Sequence, residues 1–107
     1  MKLLWTRESF RRLTEIEDFI AKDNAERAAR FVDEIVEHAE SLLHGEPRVG
    51  RTVPEISKPD IRELIFKKHR IVYRVNKNNV EILTVFEGHR LLRVDEIGAE
   101  DVRDQQE

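Results

Sequence analysis

Residues 61–93, IRELIFKKHRIVYRVNKNNVEILTVFEGHRLLR, carry the pattern that decides the fold. Three runs rich in Ile, Val, Leu, Tyr and Phe follow one another, the first pair separated by Lys67-Lys68 and the second by Asn76-Lys77-Asn78-Asn79. Such runs, broken by short polar turn formers, predict consecutive strands of an antiparallel meander. Ile71, Tyr73 and Val75 alternate with Val72 and Arg74, and Val80, Ile82 and Thr84 alternate with Glu81, Leu83 and Val85. Around Leu64 and Phe66 the alternation leaves the core face open. Because both faces carry apolar side chains, one must meet helices and the other calls for partial cover by the tail or a partner.

Upstream, Met1 to Trp5 predicts a short strand and Thr6 an N-cap for a helix over Arg7 to Lys22. Phe10, Leu13, Ile16 and Ile20 recur at helical spacing, with Phe19 widening a face expected to be buried against the sheet. Asp23-Asn24-Ala25-Glu26 reads as a reciprocal cap in which Asp23 stops the first helix and starts the second. The second helix spans about Asn24 to His44 on the apolar line Ala28, Val32, Ile35, Ala39 and Leu42, with Phe31 and Leu43 flanking. Gly45 is its stop signal. Residues 46–60 hold Pro47, Pro54 and Pro59 and predict a loop laid over the surface.

Strand, two helices and three strands in that order predict an α+β fold, a helical hairpin packed on one side of a small antiparallel sheet. Residues 1–97 are expected to form the single domain and residues 98–107 an acidic, disordered tail. The chain contains no Cys, which excludes disulfides and thiolate chemistry. The start lacks a signal-peptide apolar core and no stretch reaches membrane-spanning length, so a cytoplasmic protein with no membrane contact is expected. A net charge of −3 conceals three blocks: −3 over residues 1–60, +5 over 61–93 and −5 over 94–107. The acidic total argues against a large phosphate-binding surface.

The polar candidates are Arg51, Arg70, Arg74, His89 and Arg90. Arg70 and Arg74 lie four apart on one strand, so they share a face unless a bulge intervenes. Guanidinium forks suit phosphates and carboxylates, and a histidine moves protons near neutral pH. RNA cleavage would need such a set, with Glu55 or His89 as base. Against this stands the plainer reading that Arg74 is solvated or pairs with Glu63, that Phe86, Tyr73 and Trp5 are core, and that His38, His44 and His69 are surface or turn positions. No close metal-ligand motif, nucleophile elbow or phosphate loop occurs, so no metal and no cofactor is expected.

Taken in order, Trp5-Thr6, the Leu13–Ile20 helix, Ala28-Ala29-Arg30-Phe31, Gly50–Glu55, Ile61–Leu64, Arg70–Val75 and Val80–Val85 resemble the ParE/RelE toxins of bacterial and archaeal type II toxin–antitoxin modules. The resemblance covers nearly the whole chain. It implies a compact sheet-plus-hairpin fold and a cognate antitoxin that holds the toxin inactive in a hetero-oligomer. Two targets come with it. ParE-like toxins inhibit DNA gyrase without an active site of their own. RelE-like toxins cleave mRNA on the ribosome, and for that chemistry the resemblance points to Glu55, Arg70 and His89. Arg90 stands where the histidine–tyrosine nucleases have tyrosine, and Gly88-His89-Arg90-Leu91-Leu92 resembles the ParE-like ending. The resemblance therefore favours a gyrase inhibitor, with Arg51, Arg70, Arg74, Phe86, His89, Arg90 and Arg93 as contact candidates. The alternatives are a ribosome-dependent endoribonuclease and a non-toxic binding protein of the same fold.

Overall fold

The computed structural model describes residues 1–88. The elements are β1 (Lys2–Trp5), α1 (Arg7–Ala21), α2 (Ala25–Leu43), β2 (Arg51–Thr52), β3 (Ile61–Phe66), β4 (His69–Val75) and β5 (Asn79–Glu87). The meander forms as expected: β3, β4 and β5 are sequential antiparallel neighbours. The sheet is larger than the meander, with five strands in the order β1-β5-β4-β3-β2. β1 joins parallel to β5, pairing Lys2 with Asn79 and Trp5 with Ile82, which makes the sheet mixed. β2, inside the stretch expected to be all loop, pairs antiparallel with β3 through Arg51–Glu63 and Thr52–Arg62.

Thr6 fixes the turn from β1 into α1. Its Oγ1 accepts from the Ser9 amide at 3.2 Å and donates to the Ile82 carbonyl at 2.7 Å, so one side chain caps the helix and ties it to β5. The cap of α2 corrects the expectation. Asn24, not Asp23, is the extended residue, and its Oδ1 accepts from the Arg27 amide at 3.0 Å. The Asp23 and Asn24 amides both close back on the Ile20 carbonyl, so the chain completes the first helix before it can open the second.

Leu13, Ile35, Ala39 and Leu43 of the hairpin pack on Leu64, Ile71, Tyr73, Val75, Val80, Ile82 and Val85 of the sheet. The helical stripe is narrower than expected: Phe10 and Phe19 are 58% and 71% exposed. They lie on opposite flanks of the stripe centred on Leu13, about 100° of helix per residue, beyond the reach of the sheet.

A bulge on β5 alters the expected faces. Val72 pairs with Thr84, but Tyr73 pairs with Ile82, leaving Leu83 as the extra residue. Val85 is thereby returned to the helix-side core, while Leu83 joins the opposite face. Period-two counting had set Val85 beside Leu83. Among the described residues, the outer face gains cover from within the chain: Val53 and Ile56 of the 46–60 segment bury themselves against Ile61, Val72, Leu83 and Phe86.

That segment is held at several points. Arg62 donates from Nε to the Pro59 carbonyl (3.0 Å) and from Nη1 to the Gly50 carbonyl (2.8 Å). The Gly50 amide donates to the Tyr73 hydroxyl at 2.9 Å, and Tyr73 is fully buried, which raises its phenol pKa through desolvation. A Cβ at Gly50 would meet the Glu63 carbonyl oxygen and sit 2.6 Å from the Tyr73 oxygen. Both neighbours are rigid, so Gly50→Ala is expected to destabilise the fold by about 1–3 kcal/mol, the usual cost of overpacking, read as a lower urea midpoint at unchanged slope.

Candidate functional site

The polar site lies on the outer face of the sheet, where β2, β3 and β4 meet the 46–60 segment. The two-residue turn at Lys67-Lys68 sets the β3–β4 register, so that Glu63 stands opposite Val72 and diagonal to both Arg70 and Arg74. Arg70 takes the contact. Its Nε donates to Glu63 Oε1 at 2.6 Å, and Nη1 and Nη2 donate to the two Glu55 oxygens at 2.8 Å each. From the other side, Arg51 Nε donates to Glu63 Oε2 at 2.5 Å. The Arg70 guanidinium also lies 5.1 Å from the centre of the Phe86 ring.

These four residues form a chain of alternating charge, Arg51–Glu63–Arg70–Glu55, with equal numbers of positive and negative groups. It is buried at its centre: the Glu63 side chain is 0% exposed and that of Arg70 6%, against 61% for Arg51. The Arg70 pKa is driven above the ordinary arginine value, first by the hydrogen bonds it donates to Glu55 and then, against desolvation, by Glu63. Arg70 is thus a permanent cation clamped between two carboxylates, and it ties the 46–60 segment to β4. Such a buried ion pair stabilises little relative to apolar residues of the same shape, but it fixes geometry strongly.

Arg70 and Arg74 do share the outer face, as the spacing implied. Arg74 does not pair with Glu63; its Nη1 lies 3.9 Å from Glu81 Oε1, and Glu63 is committed to Arg51 and Arg70. Glu55 and Arg70 converge, whereas His89, Arg90 and Arg93 lie outside the described residues. Phe86 is buried, only 4% exposed, beneath Arg70 and against Val53 and Ile56. Tyr73, sealed in the helix-side core, has no face to offer a base. Glu63, offered by the sequence only as one possible partner of Arg74, instead joins the cluster through its position between Arg51 and Arg70.

At the far end of the hairpin is an open groove of about 610 Å³, with Ile16, Phe19, Phe31, Val85, Arg27 and Lys68 among its lining residues. His69 also borders it, stacking edge-on against Phe31 at 5.3 Å. Burial lowers the His69 pKa, partly offset by Glu87, and the buried Nδ1 has no hydrogen-bond partner among the described residues. Among the described residues, no group of His, Cys, Asp and Glu is placed to hold a metal ion, and no helix is long and apolar enough to cross a membrane.

Residues 3–92 match the family described as ParE toxin of type II toxin–antitoxin system, parDE. The chain is 33% identical over 93 residues to the putative toxin Y4kP of Sinorhizobium fredii (strain NBRC 101917 / NGR234), covering 83% of this chain and 90% of that protein. Its fold is similar to a chain of the chromosomal ParDE toxin–antitoxin system from P. aeruginosa, with a TM-score of 0.68 and 27% identity over 81% of this chain and 95% of the other. It is also similar to a chain of the RelBE2 toxin–antitoxin complex of Mycobacterium tuberculosis, with a TM-score of 0.60 at 22% identity, covering 80% of this chain and 88% of the other, a likeness of fold alone. A mixed five-stranded sheet under a helical hairpin, with sequence agreement running from β1 through β5, places the chain in the ParE toxin family of type II toxin–antitoxin systems.

Proposed function

We propose that this toxin acts by binding, inhibiting DNA gyrase, and that a cognate antitoxin neutralises it. The observation that carries the reading is the state of Arg70. A nuclease acting on a phosphodiester needs an arginine poised toward the phosphate and a carboxylate available as a base. Here Nε and both Nη groups of Arg70 are already bonded to carboxylates, and Glu55, the nearest candidate base, is the one that holds it. Two carboxylates around one guanidinium also repel an incoming phosphate. The family match and the likeness to a ParDE system support the same choice. The ParDE relative belongs to a toxin–antitoxin system, which supports an antitoxin partner for this chain as well.

The test is direct. Purified protein is added to gyrase with relaxed plasmid and, separately, to ribosomes loaded with mRNA. Loss of supercoiling with intact mRNA is the expected result. Cut mRNA with normal supercoiling would overturn the reading in favour of a ribosome-dependent endoribonuclease, and no effect in either assay would leave a binding protein of the same fold.

A further inference from the structure

We infer that Arg51, rimmed by Val49 and Ile65, is a docking point for an acidic segment of a partner protein in which a carboxylate neighbours an aliphatic side chain. The inference rests on the reading of this chain as a toxin that works through protein contacts. It begins from a contrast between two arginines bound to the same carboxylate. Arg70 is buried and bonded through all three of its nitrogens. Arg51 is 61% exposed at its side chain, bonds Glu63 through Nε, and its two terminal amino groups have no partner among the described residues. A surface arginine normally wanders among rotamers and loses that freedom when it binds. This one is already held by a carboxylate that is itself fixed by Arg70, so its outward fork is pre-organised for a bidentate contact.

The surroundings select the ligand. Val49, two residues before Arg51, is 47% exposed, and Ile65, on the same face of β3 as Glu63, is 50% exposed. Apolar surface beside one open guanidinium suits a peptide side-chain pair better than a nucleic-acid backbone, whose phosphates want several cations and no aliphatic neighbours. Residues 47–70 carry seven Lys/Arg against three Asp/Glu in a chain whose net charge is −3, so this is where an acidic segment is drawn.

The full-length protein, labelled to report arginine Nε–H signals, is titrated with a blocked Leu-Glu-Leu-Glu-Leu peptide, with its Gln counterpart, and with a short oligothymidylate. The expected result is saturable movement of the Arg51 and Ile65 signals with the Glu peptide, weakening as salt rises. Arg51→Gln, whose amide can still donate to Glu63 and whose folding is checked by a urea melt, should reduce affinity about tenfold or more, and Arg51→Lys should recover part of it by keeping charge without the fork. Equal binding of the Gln peptide, or no movement at Arg51, overturns the inference. Arg51-dependent binding of the oligonucleotide in preference to the peptide overturns it in favour of a phosphate site. Gyrase inhibition plays no part in the readout, so this inference and the target assignment fail separately.

Discussion

Replacing Glu63 with Ala is expected to remove about 3 kcal/mol of stability, the lower end of what breaking a buried ion pair costs. The lower end applies because Arg70 keeps its two bonds to Glu55. What it loses is the carboxylate at its Nε, in a position where only 6% of its side chain meets solvent. Water cannot replace the missing acceptor there, so the desolvation cost of the cation is no longer offset. On a domain whose total stability is of order 5–15 kcal/mol, this is a large fraction. Thermal unfolding should fall by roughly 15 °C, given about 4–8 °C per kcal/mol at this size. The paired change Glu63→Leu with Arg70→Met should recover most of the loss, because apolar residues of similar volume need no partner. Denaturation of the single and double variants decides the matter. A single variant within about 0.5 kcal/mol of the parent, the range of ordinary surface changes, would mean that the cluster is not energetically buried.

The order of the helices and of the longer strands was readable because each of them announces itself locally. The helices repeat apolar residues at helical spacing, and the meander has two short polar breaks. What escaped depended on contacts between distant residues. The β5 bulge at Leu83 leaves no mark in an apolar run where either parity looks acceptable, and it moves Val85 to the other face. β2 is two residues long and precedes Pro54, too short for any periodicity. Asp23 and Asn24 are equally capable caps, and only the closure of α1 onto Ile20 separates them.

The site was half legible for the same reason. Four-residue spacing put Arg70 and Arg74 on one face, which holds. Glu63 is diagonal to both, and nothing along the strand chooses between them. The choice is made by Glu55, which arrives from a segment fifteen positions upstream of Arg70, and by Phe86 on the neighbouring strand. Charge composition suggested a basic face, but its central arginine is neutralised by carboxylates that sequence distance concealed.

Phe19→Asp should abolish most antitoxin binding while leaving the fold intact. Phe19 is the most exposed large apolar residue of the described chain, 71% accessible, and it borders the groove at the end of the hairpin. Its one ring contact with a cation is Lys22 Nζ at 5.7 Å, which at such exposure stabilises the monomer little. Folding alone therefore gives no reason for a phenylalanine there, whereas an aromatic anchor beside a groove floored by Ile16, Phe31 and Val85 is what a partner segment would cover. Truncating an anchor of this kind costs about 2–4 kcal/mol of binding, roughly 30- to 1000-fold in Kd, and a charge in its place costs no less. The checks are calorimetric titration with the antitoxin and a urea melt of the variant alone. Unchanged affinity would place the antitoxin contact elsewhere on the molecule. A shifted melt would show that Phe19 packs in the native state more closely than its exposure allows. An intact fold with lost affinity would assign the hairpin groove to the neutralising partner and leave the outer face, with Arg51 at its edge, open to a second protein.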